Sequence, residues 1–266
     1  MKLIKNTILI TGGTSGLGLT FATKLLALGN TVIVTGRDQA RLEQTKRKLT
    51  QVHTIKSDVS DPAAIVRLYA EVSQTFPSLN ILINNAGEIR KIVLADSTDN
   101  LQEITREIET NLMGPVRMIQ QFLPHLLLQK EAAILNVTSG LALVPLPLSP
   151  VYGATKSGLH SYTQSLRVQL KHSNIKVFEL MAPAANTPLN DAFADVDGFN
   201  LKDAIEPDKI IDAAITGLQK DHYEIVPGMA RVIKTMSRLA PALLLKQTSK
   251  IGAQLIKAGV KAHAKI

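Results

Sequence analysis

The chain has 266 residues, 45% of them hydrophobic and none of them cysteine; it is long enough for one large α/β domain, and disulfide and thiolate chemistry are excluded. Its net charge of +8 is carried by the end of the chain: eight Lys or Arg and no Asp or Glu follow Val226, so the body before them is formally neutral. A basic balance placed this way does not argue for a nucleic-acid-binding body. No apolar run approaches the ~20 residues of a membrane span, and the N-terminus runs into a strand pattern instead of a signal peptide, which points to a cytoplasmic protein.

An apolar run over 7–11 predicts a short strand, followed by Gly12-Gly13-Thr14-Ser15-Gly16-Leu17-Gly18 and a helical pattern over 19–28 that stops at Gly29-Asn30. Strand, glycine turn and helix open a dinucleotide-binding unit. The glycines let the backbone approach a diphosphate, and the helix N-terminus offers it free N–H groups. The spacing is G-x-x-x-G-x-G instead of the commoner G-x-G-x-x-G. A second strand over 31–35 ends in Gly36-Arg37. An acid near this strand end would hold a ribose 2′-hydroxyl, whereas a basic residue accommodates a 2′-phosphate. Arg37 therefore favours NADP(H) over NAD(H), with Asp38 left to cap the helix predicted over 41–49.

Further strands are predicted over 52–57, 79–83, 133–138, 176–181 and 222–226, and helices over 61–76, 99–128, 150–172 and 207–219. This alternation predicts a three-layer, doubly wound Rossmann fold of the α/β class, with about seven parallel strands. Ligands of such sheets bind outside the carboxyl ends of the strands. Thr11, Arg37, Asp58, Asn85, Ser139 and Pro183 all fall at or just beyond those ends, so a single site is expected. Asn111 lies inside the long helix, where Asn is unfavourable unless it has a task. Tyr152 and Lys156 are four apart on one helix face. An ammonium close to a phenol favours the phenolate and would pull the Tyr152 pKa down from ~10 towards neutrality. A serine hydroxyl and a tuned phenol facing one carbonyl oxygen are what carbonyl reduction by hydride needs.

Taken together, T-G-x-x-x-G-x-G at 11–18, the Asp58-Val59 pair, N-N-A-G at 84–87, and Asn111, Ser139, Tyr152 and Lys156, with Tyr152 thirteen positions after Ser139, resemble the short-chain dehydrogenase/reductase family over 6–227. Within it, T-S-G-L-A followed by P-V-Y-G-A-T-K is similar to the DltE-like oxidoreductases of bacteria. The resemblance implies the catalytic roles. Tyr152 is the general acid of reduction and base of oxidation, Lys156 lowers its pKa and binds the nicotinamide ribose, Ser139 orients the substrate oxygen, and Asn111 holds a water of a proton relay. It also implies the cofactor contacts. Gly12, Thr14, Ser15, Gly16 and Leu17 wrap the diphosphate and adenosine ribose, Asp58 and Val59 meet the adenine, and Asn85, Ala86 and Gly87 line the ribose side. Thr187, after Pro183, would bind the carboxamide or phosphate. The family usually has Pro-Gly where this chain has Pro183-Ala184, which leaves the path of the nicotinamide loop open. Homodimers or homotetramers are the assemblies it implies.

The uncharged run Leu141 to Leu148 borders the expected site and favours a small apolar carbonyl or alcohol substrate; packing against a neighbouring subunit is the other reading. Residues 188–205 lack periodicity and read as a mobile flap. The expected division is an oxidoreductase domain over 1–226 and a basic amphipathic tail over 227–266. In the tail, Met229, Val232, Ile233, Met236, Ala240 and Leu243 recur at helical spacing opposite Arg231, Lys234 and Arg238, Pro241 should break the helix, and a second piece is expected over 251–260. Three readings of the tail stay open: packing on the body or a partner subunit, a lid over the substrate, and weak adhesion to an anionic membrane surface. His53, His125, His160, His172, His222 and His263 show no metal-ligand spacing, no metal is expected, and they are read as surface or capping residues. An NADP(H)-dependent oxidoreductase is the leading function. A catalytically silent dinucleotide-binding regulator, and an epimerase or dehydratase on the same scaffold, are the alternatives.

Overall fold

In the computed structural model of the chain, which describes residues 1–199 and 204–263, the strands alternate with helices as expected. The strands are β1 (Thr7–Thr11), β2 (Thr31–Gly36), β3 (His53–Lys56), β4 (Leu79–Asn84), β5 (Ala132–Ser139), β6 (Ile175–Ala182) and β7 (Glu224–Ile225). They form one sheet of order β3-β2-β1-β4-β5-β6-β7, with every pairing parallel. Strand order reverses between β1 and β4, which is where a doubly wound sheet opens a crevice at its carboxyl edge. β7 is shorter than the sequence pattern because only Glu224 and Ile225 find partners on β6, before Pro227 and Gly228 end it.

Helices cover both faces, which is why the strands read as near-continuous apolar runs. Ile8 and Ile10 of β1 turn to one side, and Leu9 between them turns to the other. On the first side the sheet packs against α1 (Gly16–Ala27), α2 (Gln39–Lys48) and α7 (Pro207–Gln219) through Phe21, Leu42 and Ile211. On the second it packs against α3 (Pro62–Thr75), α5 (Gly114–Leu127) and α6 (Pro150–Gln169) through Leu68, Phe122 and Leu166. The resulting three layers are the Rossmann-type architecture that the alternation predicts.

The long helix expected over 99–128 is three consecutive pieces: α4 (Leu101–Ile108), a π-helical turn (Glu109–Met113) and α5. The widened turn carries Asn111, and such turns recur at functional sites. Beyond β7 the tail makes α8 (Met229–Leu239), α9 (Pro241–Thr248) and α10 (Ala253–His263). Pro241 breaks the first from the second by starting the new helix, where its missing N–H costs nothing. Among the described residues no helix is long and apolar enough to cross a membrane.

Candidate active site

Thr11 ends β1, and its hydroxyl oxygen accepts the backbone N–H groups of Asn85 and Ala86 at 3.0 and 3.1 Å. The Asn85 amide returns two bonds, to the carbonyls of Thr11 and Gly12 at 3.0 and 3.1 Å. The glycine turn and the N-N-A-G segment are thus stitched into one floor. Gly12 has φ +65°, open to glycine and costly for other residues, and a Cβ there would lie 2.8 Å from Ala86 Cα. Helix α1 starts directly behind this turn, with no acidic residue in its first turn and no side-chain cap from Ser15. Among the described residues no side chain caps its first N–H groups, and the positive end of the helix faces the crevice. A diphosphate fits this cradle.

One cleft of about 1280 Å³ runs along the carboxyl edge of the sheet. Every site residue expected from the sequence lines it, from Gly12 to Thr187, with the single exception of Asn111. At the adenosine end, Asp38 is committed to capping α2, where its carboxylate accepts the Arg41 N–H at 3.1 Å. Arg37 beside it also lines the cleft, its guanidinium 3.9 Å from a Glu88 carboxylate oxygen. Arg41 also lines the cleft and was missed in the sequence because the capping pattern already accounted for its segment. Asp58 ties down its own turn by accepting from the Ser60 N–H and hydroxyl at 2.9 and 2.7 Å, and Val59 packs on Gly114. At the other end Thr187 rests against Gly16, so the two walls meet beside the diphosphate cradle.

The structure brings Ser139, Tyr152 and Lys156 together, all three buried. Ser139 ends β5, and its oxygen accepts the Leu141 N–H at 3.1 Å. Tyr152 lies in the first turn of α6 with Ser139 beside its hydroxyl. Lys156, one turn on, gives its Nζ proton to the Val137 carbonyl at 2.9 Å and stays 5.7 Å from the centre of the Tyr152 ring. This corrects the expectation that Lys156 lowers the Tyr152 pKa. Burial pushes the phenol up to about 12, Ser139 opposing and the Glu107 carboxylate adding to the push. The same burial brings Lys156 down to about 8. Loss of solvent opposes charge on both groups, and here it outweighs a pairing that the ammonium spends on Val137.

Asn111 sits behind this group, fully buried. Its side chain brackets Glu88, accepting the Glu88 N–H at 2.9 Å and donating to the Glu88 carbonyl at 2.8 Å, with Thr155 Oγ1 at 3.3 Å. The amide thus shapes the segment after N-N-A-G, and its Oδ1 lies 3.2 Å from where a Cβ on Gly87 would be.

One turn earlier in α4, Glu107 is wholly buried, a group that no sequence pattern singles out. Its Oε1 accepts the Arg90 N–H at 3.1 Å, while Oε2 has no partner among the described residues. Burial pushes its pKa up to about 7. The folded chain then keeps a proton that the unfolded chain releases near pH 4.5, so stability falls as pH rises from about 4.5 through 7. By the ordinary linkage this one group removes roughly 3 kcal/mol across that window. Glu107→Gln is expected to flatten the fall, measured as the urea midpoint between pH 5 and pH 8. An unchanged slope would sink the assignment.

His160 is a second correction. It is not a surface or capping residue: its Nδ1 lies 2.9 Å from both oxygens of the fully buried Glu179, which also accepts the Thr138 hydroxyl at 2.6 Å. The carboxylate raises the His160 pKa. The described part of the 188–205 segment packs down on this side of the molecule. Phe193 and Val196 are buried with Leu146 and Leu148, and Ile251 and Ile256 of the tail complete the cluster. The apolar run 141–148 therefore packs largely within its own chain, while Leu141, Val144 and Leu146 also line the cleft.

A family model for short chain dehydrogenases matches residues 6–197. The chain belongs to the short-chain dehydrogenase/reductase family. Membership makes it an NAD(P)-dependent oxidoreductase. An uncharacterised oxidoreductase of Bacillus subtilis, DltE, is 42% identical over 238 residues, covering 90% of this chain and 94% of that protein. A Burkholderia cenocepacia short chain dehydrogenase solved with NADP superposes with a TM-score of 0.80 at 24% identity, covering 93% of this chain and 99% of its own. A Burkholderia phymatum short chain dehydrogenase/reductase solved with NAD gives 0.78 at 22%, covering 88% and 93%. Against the family's usual Pro-Gly, Ala184 is not strained, for its backbone is not in the left-handed region. Its carbonyl accepts the Ile205 N–H at 2.9 Å, and Ala185 forms a bridge to Ile205, which fixes the loop without a glycine.

Proposed function

We propose that the chain reduces small apolar carbonyl compounds to alcohols with NADP(H), Tyr152 giving the proton. The observation that carries this is the meeting of a buried, protonated phenol and a serine hydroxyl at the apolar end of the dinucleotide cleft. When bound, the reduced nicotinamide supplies hydride to the carbonyl carbon. Ser139 orients the carbonyl oxygen, and Tyr152 passes its Oη proton to that oxygen as the carbon is reduced. A phenol pushed up to about 12 holds this proton throughout the neutral range, so the resting site carries the acid that reduction uses. Lys156, one turn on, binds the nicotinamide ribose. Gly12 to Leu17 and the start of α1 hold the diphosphate, and Asp58, Val59 and Asn85 to Gly87 hold the adenosine side.

The preference for NADP(H) rests on Arg37 and Arg41 at a strand end whose acid is spent on a helix cap. Arg37→Ala is expected to lower kcat/KM for NADPH by about 10- to 100-fold, the worth of a hydrogen bond to a charged group, with a smaller effect on NADH. Equal losses with both would remove the assignment. In the same reading residues 1–226 form the reducing domain and 227–266 its cover. The protein acts in the cytoplasm as a homodimer or homotetramer, which light scattering after gel filtration would read. The tail's cations touch anionic membranes weakly, and flotation with acidic liposomes measures that.

The deciding experiment is oxidation of NADPH, followed at 340 nm, against a panel of apolar aldehydes and ketones. Turnover supports the proposal. Tight cofactor binding with no turnover makes the chain a silent regulator, and conversion without net NADPH oxidation makes it an epimerase or dehydratase.

A further inference from the structure

Beyond β7 the chain returns to the residue that follows Ser139. A Cβ on Gly140 would lie 3.3 Å from Ile233 Cδ1 and 3.7 Å from Ala230 Cβ, so α8 is seated directly on this turn. Ala230 is wholly buried at that seat, and Lys234 pairs with Glu224 of β7 to hold the helix there. From the seat, Met229, Val232 and Met236 follow one another at three- and four-residue steps, which places them on one face of α8. All three line the cleft, and Leu243 of α9 continues the row.

Met229, Val232 and Leu243 are 62%, 53% and 47% exposed, although they sit over the cleft and not on the back of the tail. Contiguous apolar area left open in this way marks a binding surface. Leu141, Val144 and Phe193 line the same cleft. The α8 side chains that line the cleft, Met229, Val232, Ile233 and Met236, are all apolar, while Ser139 and Tyr152 line it from the catalytic group and Gln247, Thr248 and Lys250 from beyond Leu243. From Met229 to Met236 the wall rises about 10 Å along the helix axis. A wall of this length, with flexible methionines and no hydrogen-bonding group along it, suits a chain of methylenes better than a compact ring.

We propose that the substrate is an unbranched aliphatic aldehyde or ketone whose chain lies along α8 from Met229 to Leu243, with its carbonyl at Ser139 and Tyr152. The chemistry is that of the reduction proposed above and rests on it: the carbonyl carbon gains hydride from NADPH, the oxygen gains the Tyr152 proton, and the alcohol leaves with NADP⁺. The chain-binding surface is separately measurable.

The test runs n-alkanals from propanal to dodecanal, with cyclohexanone and benzaldehyde as compact apolar comparisons, on the full chain with NADPH. Calorimetric titration with the matching n-alkanols runs in parallel. Each methylene taken from water should improve both kcat/KM and Kd about fourfold until the row is covered. Val232→Asp and, as a second exposed position, Met229→Gln should flatten both dependences. Leu128→Asp, on the far surface, should leave them as they are. A Kd independent of chain length, or a length dependence that survives in both tail variants, overturns the chain site. Length-dependent binding with no turnover of any carbonyl leaves the chain site standing and removes the proposed reaction instead. Preference for the compact carbonyls over the long alkanals also overturns it.

Discussion

Exchanging Tyr152 for phenylalanine is expected to lower kcat for carbonyl reduction by about 10²- to 10⁴-fold, the range a positioned proton donor contributes. The exchange is close to isosteric. Tyr152 is 6% exposed, and its ring is held by α6 and the Ser139 turn, so phenylalanine keeps the packing and loses only the hydroxyl. In the proposed reaction that hydroxyl is the group that transfers its proton to the substrate oxygen, while Ser139 orients that oxygen. The Ser139 hydroxyl, an aliphatic alcohol, is a far weaker acid than a phenol, and the Lys156 ammonium points to Val137. Neither replaces the phenol. The loss should therefore appear in kcat, with KM for the carbonyl and Kd for NADPH changed little, which steady-state rates and a fluorescence titration of the cofactor separate. Because the phenol is pushed up to about 12, the wild-type reduction rate should show no loss through Tyr152 ionisation between pH 6 and pH 9. A loss below tenfold in the variant would mean that the proton comes from elsewhere.

What the sequence made legible here is what local periodicity and strand-end chemistry encode. The glycine turn after β1, Asp38 as a cap, Pro241 as a helix break, and Ser139 with Tyr152 near one cleft follow from runs of fewer than twenty residues. What stayed hidden depends on contacts distant along the chain. The pKa of Tyr152 is decided by how dry its surroundings are, and the four-residue spacing to Lys156 carries no information on that. Lys156 turns to Val137, nineteen positions earlier, because β5 and α6 pack side by side. The alternation of Ile, Glu and Thr over 107–111 reads as ordinary helix, yet the backbone widens into a π-turn where Asn111 reaches back to Glu88. Helix α8 shows its apolar stripe in the sequence, but that the stripe meets Gly140, ninety residues earlier, is a fact of tertiary packing. His160 looked like a surface residue because nothing in the sequence ties it to its partner Glu179, one of two charged positions in an otherwise apolar strand.

Gly18→Ala should both loosen the fold and abolish tight cofactor binding, and the reason is backbone, not side-chain, crowding. A Cβ at this position would lie 2.2 Å from the Gly12 carbonyl oxygen and 2.5 Å from Asn85 Nδ2. Neither can swing aside. The Gly12 oxygen is part of the turn, and the Asn85 amide is already bonded to it and to the Thr11 carbonyl. Either α1 moves away from the turn or the turn parts from N-N-A-G, and both misplace the N–H groups meant for the diphosphate. Overpacking of this kind costs about 1–3 kcal/mol, which for a chain of this size is roughly 2–4 °C in Tm for each kcal/mol. The dinucleotide Kd should rise more than about tenfold, so the Tm increase that NADPH gives the wild type should shrink with it. Gly29, at the opposite end of the same helix, separates the two effects. It has φ +79° and nothing within 4 Å of an added Cβ, so Gly29→Ala carries only the strain of a left-handed alanine, about 1–2 kcal/mol. It should lower Tm while keeping the full NADPH-dependent increase. If Gly18→Ala keeps that increase as well, the start of α1 is not where the diphosphate sits.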